Sequence, residues 1–196
     1  MHTLRRLCVY CGSKPGHRPD YAEAARALGT RLAEEGVGLV YGGASVGLMG
    51  AVAGAVLDGG GEALGVLPHG LAAKEVAHPG LTELFLVHSM HERKALMADL
   101  ADGFVALPGG LGTLEEIAEV LTWSQLGIHH KPCGLLNVAG YFDGLVTYLD
   151  HAEAEGLLRP EHRALLLVAE TPEALLARFR AYAPPEVPQW ITRRET

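Results

Sequence analysis

Short apolar runs, each followed by a longer stretch with helical periodicity, recur along this chain of 196 residues. The runs are continuous rather than alternating between apolar and polar residues, which is typical of strands that are covered on both faces. They predict strands at residues 7–11, 39–41, 63–67, 84–87, 104–107 and 134–136. A chain with this pattern is restricted to a largely parallel sheet with helices on both faces.

Helical patterns fill the segments between and after these strands, at residues 21–35, 48–57, 90–100, 114–126, 142–155 and 172–182. Asp20 with Glu23 predicts a capping box for the first helix, and Thr171 with Pro172 predicts the start of the last. Repeated β-then-α order with short links implies right-handed crossovers and an α/β, Rossmann-like, doubly wound sheet. Ligands of such sheets bind beyond the carboxyl ends of the strands, so the loops that leave the strands are the candidate site.

Chain length and composition indicate one domain. A hydrophobic content of 48% in 196 residues suffices for a single substantial core. We expect this domain to span residues 1–183 and to be followed by a proline-containing, extended tail at residues 184–196.

The charge balance limits the class of partner. Sixteen Lys and Arg residues against 23 Asp and Glu give a net charge of −7, so no nucleic-acid partner is expected and any bound phosphate must be held by local groups. The apolar stretch at residues 51–67 is interrupted by Asp58 and Glu62, which argues against a membrane span, and no signal-peptide pattern follows Met1. We therefore expect a cytoplasmic protein.

The cysteines allow a redox pair or half a zinc site, because Cys8 and Cys11 form a C-x-x-C. They lie in a predicted strand, however, on which residues three apart face opposite sides. No second C-x-x-C follows, and Cys133 stands alone in the sequence. The favoured interpretation is three structural thiols, with no metal site and no cofactor.

Glycine-rich segments follow three of the predicted strands, at residues 12–13, 42–47 and 108–113. The third leads from a strand into a helix, so its backbone amides and the positive end of the helix dipole predict an anion site. Gly109, Gly110 and Gly112 let a phosphate approach without meeting a Cβ. A tight turn without a ligand is the alternative, since neither the Walker spacing nor G-x-G-x-x-G is present.

Glu116 has two interpretations. With Thr113 it forms T-x-x-E, so its side chain could be the reciprocal arm of a capping box. A carboxylate beside a bound phosphate is otherwise unfavourable, unless it points towards a group that gains positive charge. Cleavage of a glycosidic bond creates such a group at the sugar carbon, which makes catalysis the second interpretation.

A second cluster, Met90-His-Glu-Arg-Lys94, opens the helix after the fourth predicted strand. Its adjacent cations, Arg93 and Lys94, lie near the positive end of a helix dipole, which indicates an anionic partner. The alternative is a solvated basic face that nearby acids neutralise. For His91, a capping or packing role is at least as well supported as a catalytic one.

Together, Pro108-Gly-Gly-Leu-Gly-Thr-Leu-Glu-Glu116 and Met90-His-Glu-Arg-Lys94 resemble the paired signature P-G-G-x-G-T-x-x-E and M-H-x-R-K of the Lonely Guy (LOG) phosphoribohydrolases, often labelled lysine decarboxylase-like. The pairing is far more specific than either motif alone. The resemblance extends over nearly the whole chain and fades after about Ala169. One difference is Ala44, where many relatives carry a third glycine.

The resemblance implies a Rossmann-like homodimer, or an assembly of dimers, that cleaves nucleoside 5′-monophosphates, including cytokinin riboside monophosphates, without a cofactor. It implies that Arg93 and Glu116 form the catalytic pair. The substrate contacts that it assigns, besides this pair, are Glu75, Lys94, Gly109, Gly110, Leu111, Gly112, Thr113, Leu114, Glu115 and Thr122, together with Gly12, Ser13, Gly42, Gly43 and Met49.

On this basis we expect the 5′-phosphate on the amides of Gly110, Gly112 and Thr113, with Arg93 and Lys94 offsetting its charge. The ribose then lies over Glu116, which stabilises the oxocarbenium-like sugar or takes a proton from the attacking water. Two alternatives stay open. One is a non-catalytic carrier of a phosphorylated ligand or molybdenum cofactor, and the other is a decarboxylase, which needs a pyridoxal-binding lysine in a chain with few lysines.

Overall fold

The computed structural model describes residues 3–72, 77–185 and 190 of the chain. Its strands are β1 (Arg6–Tyr10), β2 (Gly38–Tyr41), β3 (Ala63–Pro68), β4 (Glu83–Val87), β5 (Gly103–Ala106), β6 (Cys133–Leu136) and β7 (Leu166–Ala169). Its helices are α1 (Pro19–Glu34), α2 (Gly47–Asp58), α3 (His69–Ala72), α4 (Met90–Leu100), α5 (Leu111–Gln125), α6 (Asp143–Ala154), α7 (Pro160–Arg163) and α8 (Pro172–Arg180), with a 3₁₀ turn at Val138–Gly140.

These seven strands form one sheet in the order β4-β3-β2-β1-β5-β6-β7, and every pairing is parallel. The chain winds outwards from β1 to β4, then returns to the other side of β1 and continues to β7. The expected α/β, Rossmann-like, doubly wound sheet is therefore confirmed. Its winding reverses between β1 and β5, so the crevice beyond the carboxyl ends of these two strands is the favoured ligand position.

Two apolar layers cover the sheet. Side chains of α1, α2 and α8 pack on one face in a cluster with Val9 of β1 and with Cys11, the residue that follows β1. Side chains of α4, α5 and α6 pack on the other against Cys8 and Tyr10. Cys8 and Cys11 thus lie on opposite faces, as strand geometry predicts, and both are buried and free, as is Cys133. Burial raises the pKa of all three thiols.

The helix boundaries correct one prediction and confirm another. The capping box of Asp20 and Glu23 is wrong, because α1 begins earlier, at Pro19, and Asp20 is paired with Arg18 instead. A proline fits the first position of a helix, where its fixed φ is suitable and no amide hydrogen is needed. The start of α8 is as predicted: the Thr171 hydroxyl accepts a hydrogen bond from the Ala174 amide at 3.3 Å.

Three short elements were not predicted: α3, α7 and the edge strand β7. Each is only four residues long. A helical period is not measurable over four residues, which applies to α3 and α7. The strand β7 pairs with β6 and has the same continuous apolar pattern as the strands that were predicted. Within the described residues, no helix has both the length and the apolarity to cross a membrane. The boundary between domain and tail stays a prediction, because most of residues 184–196 lie outside the described residues.

Candidate active site

The glycine-rich loop after β5 ends at Gly110, which is the cap residue of α5, with Leu111 as the first helical residue. Thr113 is therefore the third residue of the helix and not its cap, so the predicted capping box of Thr113 and Glu116 is wrong. Gly110 adopts an extended backbone, and as a glycine it offers no side-chain acceptor to the first amides of the helix. These amides are available to an anion.

Three loops at this edge of the sheet are held together by backbone hydrogen bonds. The Gly12 amide donates to the Pro108 carbonyl, and the Leu48 amide donates to the Gly12 carbonyl, both at 3.0 Å. A Cβ at Gly109 would collide with the hydroxyl of Thr113, whereas a Cβ at Gly110 or Gly112 would meet open space. The glycine at 109 thus permits close packing, and those at 110 and 112 leave room beside the helix N-terminus.

A cavity of about 300 Å³ lies at the reversal of winding, between the loops that follow β1 and β5. Four of the predicted substrate contacts line it, namely Gly12, Ser13, Gly109 and Gly110. It is also lined by three residues that were not predicted as contacts, Lys14, Tyr21 and Tyr141. For two of them the sequence offered a signal, namely a position shortly after a strand: Lys14 follows β1 by four residues and Tyr141 follows β6 by five.

The Tyr141 hydroxyl donates a 2.5 Å hydrogen bond to the carbonyl of Gly109. Its ring also makes an edge contact with the ring of Tyr21, at a centroid distance of 5.4 Å. The aromatic pair therefore forms one wall of the cavity and fixes the carbonyl at the start of the glycine loop.

Arg93 is buried, with 8% of its surface exposed, and its Nε donates to the carbonyl of Val66 at 3.1 Å. A Cβ at Gly42 would collide with its Nη2 and would lie 3.1 Å from the sulfur of Met49. The structure thus brings three predicted site residues, Arg93, Gly42 and Met49, together at the carboxyl ends of β2 and β3. The Ser89 hydroxyl accepts from the Glu92 amide at 3.1 Å and caps the helix that carries Arg93.

Lys94 is paired with carboxylates of α5. Its Nζ lies 2.5 Å from Glu115 and 3.0 Å from Glu119, and 6% of the residue is exposed. Burial lowers the pKa of Lys94, but the two hydrogen bonds outweigh it and leave the pKa raised. The nearby acids of the alternative interpretation are thus present, but Lys94 is buried and does not form a solvated basic face. Its role as a substrate contact stays a prediction.

Glu116 is partly buried in the second turn of α5. Burial raises its pKa to about 7, the positive charge of Arg93 opposes this rise, and the negative charge of Glu115 adds to it. A carboxyl group with this pKa exchanges its proton close to neutral pH, which suits a general acid or base.

Leu111, Leu114 and Thr122, which were also predicted contacts, do not line the cavity. The hydroxyl of Thr122 donates to Ala118 of its own helix at 2.8 Å, and Thr122 lies about 16 Å along α5 from Leu111. Leu111 and Leu114 are exposed to solvent, and Glu75 lies outside the described residues. These roles stay predictions.

The loop after β2 tolerates its unusual alanine. Gly43 has a φ of +83°, which favours glycine, whereas Ala44 is fully buried and does not have a positive φ. The position where many relatives carry a third glycine therefore accepts a Cβ here. No three His, Cys, Asp or Glu side chains of residues 3–72, 77–185 and 190 are grouped to hold a metal ion.

Comparison with known proteins matches residues 49–179 to the family described as "Possible lysine decarboxylase". A probable cytokinin riboside 5′-monophosphate phosphoribohydrolase of Oryza sativa subsp. japonica is 52% identical over 93% of this chain and 74% of its own length. The cytokinin riboside 5′-monophosphate phosphoribohydrolase of Rhodococcoides fascians is 49% identical over 91% of both chains.

Solved structures with a similar fold include the molybdenum cofactor carrier protein of Chlamydomonas reinhardtii, with a TM-score of 0.69, 21% identity and coverage of 92% of this chain and all of that one. The molybdenum cofactor binding protein of Rippkaea orientalis has a TM-score of 0.68 and 22% identity, over 92% of this chain and 98% of its own. Identities this low establish a shared fold. The family match and the relatives at about 50% identity go further, and the chain belongs to the possible lysine decarboxylase family, together with curated members named cytokinin riboside 5′-monophosphate phosphoribohydrolases.

Proposed function

We propose that this chain hydrolyses the N-glycosidic bond of adenine-type nucleoside 5′-monophosphates, adenosine monophosphate and cytokinin riboside monophosphates among them, to free base and ribose 5-phosphate. The observation that carries the proposal is Glu116, a partly buried carboxyl group whose pKa is raised to about 7. It lies one turn inside a helix whose N-terminus is open to an anion. The names of the relatives at about 50% identity support the same reaction.

The phosphate binds at the start of α5 in this proposal. The amides of Gly110, Gly112 and Thr113 belong to the cap and first turn of the helix, where free amide hydrogens and the helix dipole attract an anion. The ribose then extends along α5 towards Glu116. Arg93, close enough to lower the pKa of this carboxyl group, adds positive charge beside it.

Bond cleavage follows from this placement. As the bond between the ribose and the base lengthens, the anomeric carbon gains positive charge, which an ionised Glu116 stabilises. Glu116 then accepts a proton from the water that attacks this carbon. The electron pair of the broken bond leaves with the base, which takes up a proton.

The fold is shared with proteins named as molybdenum cofactor carriers, so fold alone does not distinguish an enzyme from a carrier. A carrier has no need for a carboxyl group that titrates near neutral pH beside a phosphate site. A decarboxylase would need an unengaged lysine. Lys94 is bound to two carboxylates and Lys131 to two backbone carbonyls, so neither of these two lysines is available to form a Schiff base.

Product analysis tests the proposal. Incubation with adenosine monophosphate should release adenine and ribose 5-phosphate, and adenosine should be a poor substrate because it has no group for the glycine loop. Chromatography separates these products. Release of inorganic phosphate and adenosine would identify a phosphatase instead, and activity that is lost in a chelator and restored by zinc would contradict a reaction without a metal.

A Glu116→Gln variant tests the role of the carboxyl group. We expect kcat to fall by roughly 10²–10⁴-fold, the usual contribution of general-base catalysis. Its melting temperature should not fall, because Glu116 does not cap α5. Glu153→Gln, which replaces a partly buried glutamate of α6 outside the proposed site, is the matched control and should leave both quantities unchanged. Near-normal turnover of Glu116→Gln would exclude the mechanism.

A further inference from the structure

We propose that Lys14 is a substrate-binding residue that recognises the 5′-phosphate group of the nucleotide, from the cavity between the loops after β1 and β5. This inference rests on the proposed function, because it assumes a nucleoside monophosphate as substrate. It moves the main phosphate-binding cation from Lys94, within the sequence motif, to a residue outside both motifs.

Both cations of the second motif, Arg93 and Lys94, already have partners among the described residues. The Nζ of Lys94 is already held by two carboxylates, and the guanidinium of Arg93 is turned towards Val66, Gly42 and Met49. None of these three neighbours of Arg93 lines the cavity. The two cations of the motif are thus engaged away from it.

The residues that line the cavity favour an anion. Among the described residues that form it, Lys14 is the one cation, and none is a carboxylate. Gly109 and Gly110, which lead into the N-terminus of α5, line the same cavity. A dianion there meets positive potential from the lysine and from the helix, with no opposing carboxylate on the wall.

The backbone of Lys14 is fixed in place. A Cβ at Gly47 would collide with the peptide that joins Ser13 to Lys14, and a Cβ at Gly12 would lie 3.1 Å from the Lys14 carbonyl oxygen. Gly47 has a φ of +59°, so its conformation favours glycine as well. The loop therefore packs closely against the start of α2. Ligand binding then has to order only the side chain of Lys14.

Tyr141 removes a source of repulsion. The carbonyl oxygen of Gly109 would repel a phosphate, but the Tyr141 hydroxyl donates to it at 2.5 Å and offsets its negative potential. The cavity thus combines a cation, an open helix N-terminus and a neutralised carbonyl, which is the chemistry that a phosphate monoester requires.

Kinetics with paired substrates test the inference. We expect Lys14→Ala to raise the KM for adenosine monophosphate about tenfold and to change kcat less than twofold, because the lysine contacts a group that does not react. The weak cleavage of adenosine should not change. Ribose 5-phosphate should bind the variant about tenfold more weakly by calorimetry, and Lys14→Arg should restore most of the affinity.

Arg18→Ala is the matched control, since Arg18 is an exposed cation four residues away that is paired with Asp20 at 3.2 Å. It should leave the KM unchanged. An active wild-type enzyme with an unchanged KM in Lys14→Ala would overturn the inference and leave the proposed function standing, as would an equal loss with adenosine. A wild-type protein that releases no base would instead overturn the proposed function.

Discussion

The carboxyl group of Glu116 should set the pH dependence of the reaction. As a general base it acts only when ionised, so kcat/KM should rise with pH through a midpoint near 7, the pKa to which burial raises this group. Arg93 holds that pKa down, so Arg93→Met should move the midpoint to higher pH. Turnover of adenosine monophosphate between pH 5 and 9 measures both, and a flat wild-type profile would contradict the assignment.

The raised pKa of Glu116 should also make the stability of the folded protein depend on pH. The folded state holds the Glu116 proton more tightly than the unfolded chain, so wild-type stability should fall as pH rises from the usual glutamate range through about 7. Glu116→Gln cannot lose this proton. The difference between their melting temperatures should therefore shift in favour of the variant over this pH window.

Gly42 should matter for activity more than for folding. A Cβ there would collide with the end of the Arg93 side chain and press on the sulfur of Met49, and both groups are flexible. Gly42→Ala should therefore displace the guanidinium and lower kcat/KM at least tenfold, with only a modest drop in melting temperature. Gly54→Ala is the matched control, because a Cβ at this position of α2 meets nothing within 4 Å. It should leave kcat/KM intact, and equal losses in both variants would refute the prediction.

At the level of single residues, the sequence located the glycine loop and both members of the proposed catalytic pair, because their motifs are contiguous. It could not decide whether Glu116 is a cap, since that depends on which residue begins α5. Nor could it find the partners of Lys94, because Glu115 and Glu119 lie 21 and 25 residues away and meet it only when α4 and α5 pack together.

At the level of elements, the positions of the two site helices depend on the segment between α5 and β6. Lys131 in this segment donates to the carbonyls of Ala98 and Ala101 at the end of α4, at 2.7 and 2.6 Å. His129 contacts the Val120 carbonyl of α5 at 2.9 Å, and burial lowers its pKa to about 4. One short segment thus holds the helix of Arg93 and the helix of Glu116.

Lys131→Met should therefore destabilise the protein. It removes two hydrogen bonds from a charged donor and leaves the terminal carbonyls of α4 without their partner, which should lower the free energy of unfolding by about 2 kcal/mol. Urea denaturation followed by circular dichroism measures this loss. Arg26→Met, which removes an exposed cation of α1, is the control and should change stability by less than about 0.5 kcal/mol. An unchanged midpoint for Lys131→Met would show that the contacts do not stabilise the fold.

The long elements were predictable from the sequence because burial on both faces makes every residue of a strand apolar, as in β3 and β5. The residues at which these elements begin and end were harder to predict. The first helix was placed two residues late, because Pro19 does not extend the apolar pattern. The fifth was placed three residues late, because Leu111 lies between Gly110 and Gly112 and was assigned to the glycine loop. The order of the strands was not predicted, because it depends on pairing between segments far apart in the sequence.

At the level of the whole molecule, the surface still carries large apolar side chains that a solitary chain would leave in water. Leu111 and Leu114 of α5 are 84% and 43% exposed, Tyr148 of α6 is 65% exposed, and α6 has no fully buried residue. Leu86 of the edge strand β4 is 47% exposed. Apolar groups of this number on a compact domain favour association with a partner.

We therefore expect the protein to form a homodimer in solution, which is also the assembly that the resemblance to the LOG proteins implies. Light scattering coupled to size-exclusion chromatography should give twice the chain mass of 20.8 kDa at micromolar concentration. Tyr148→Lys places a charge among the exposed apolar groups of α5 and α6, so it should shift the protein towards monomer if these helices contribute to the interface, because burying an unpaired charge is costly. Glu155→Lys, which replaces one exposed charge with another at the C-terminal end of the same helix, is the control and should leave the mass unchanged. A wild-type mass of 20.8 kDa at every concentration tested would contradict the dimer, and a Tyr148→Lys dimer as tight as the wild type would place its interface elsewhere.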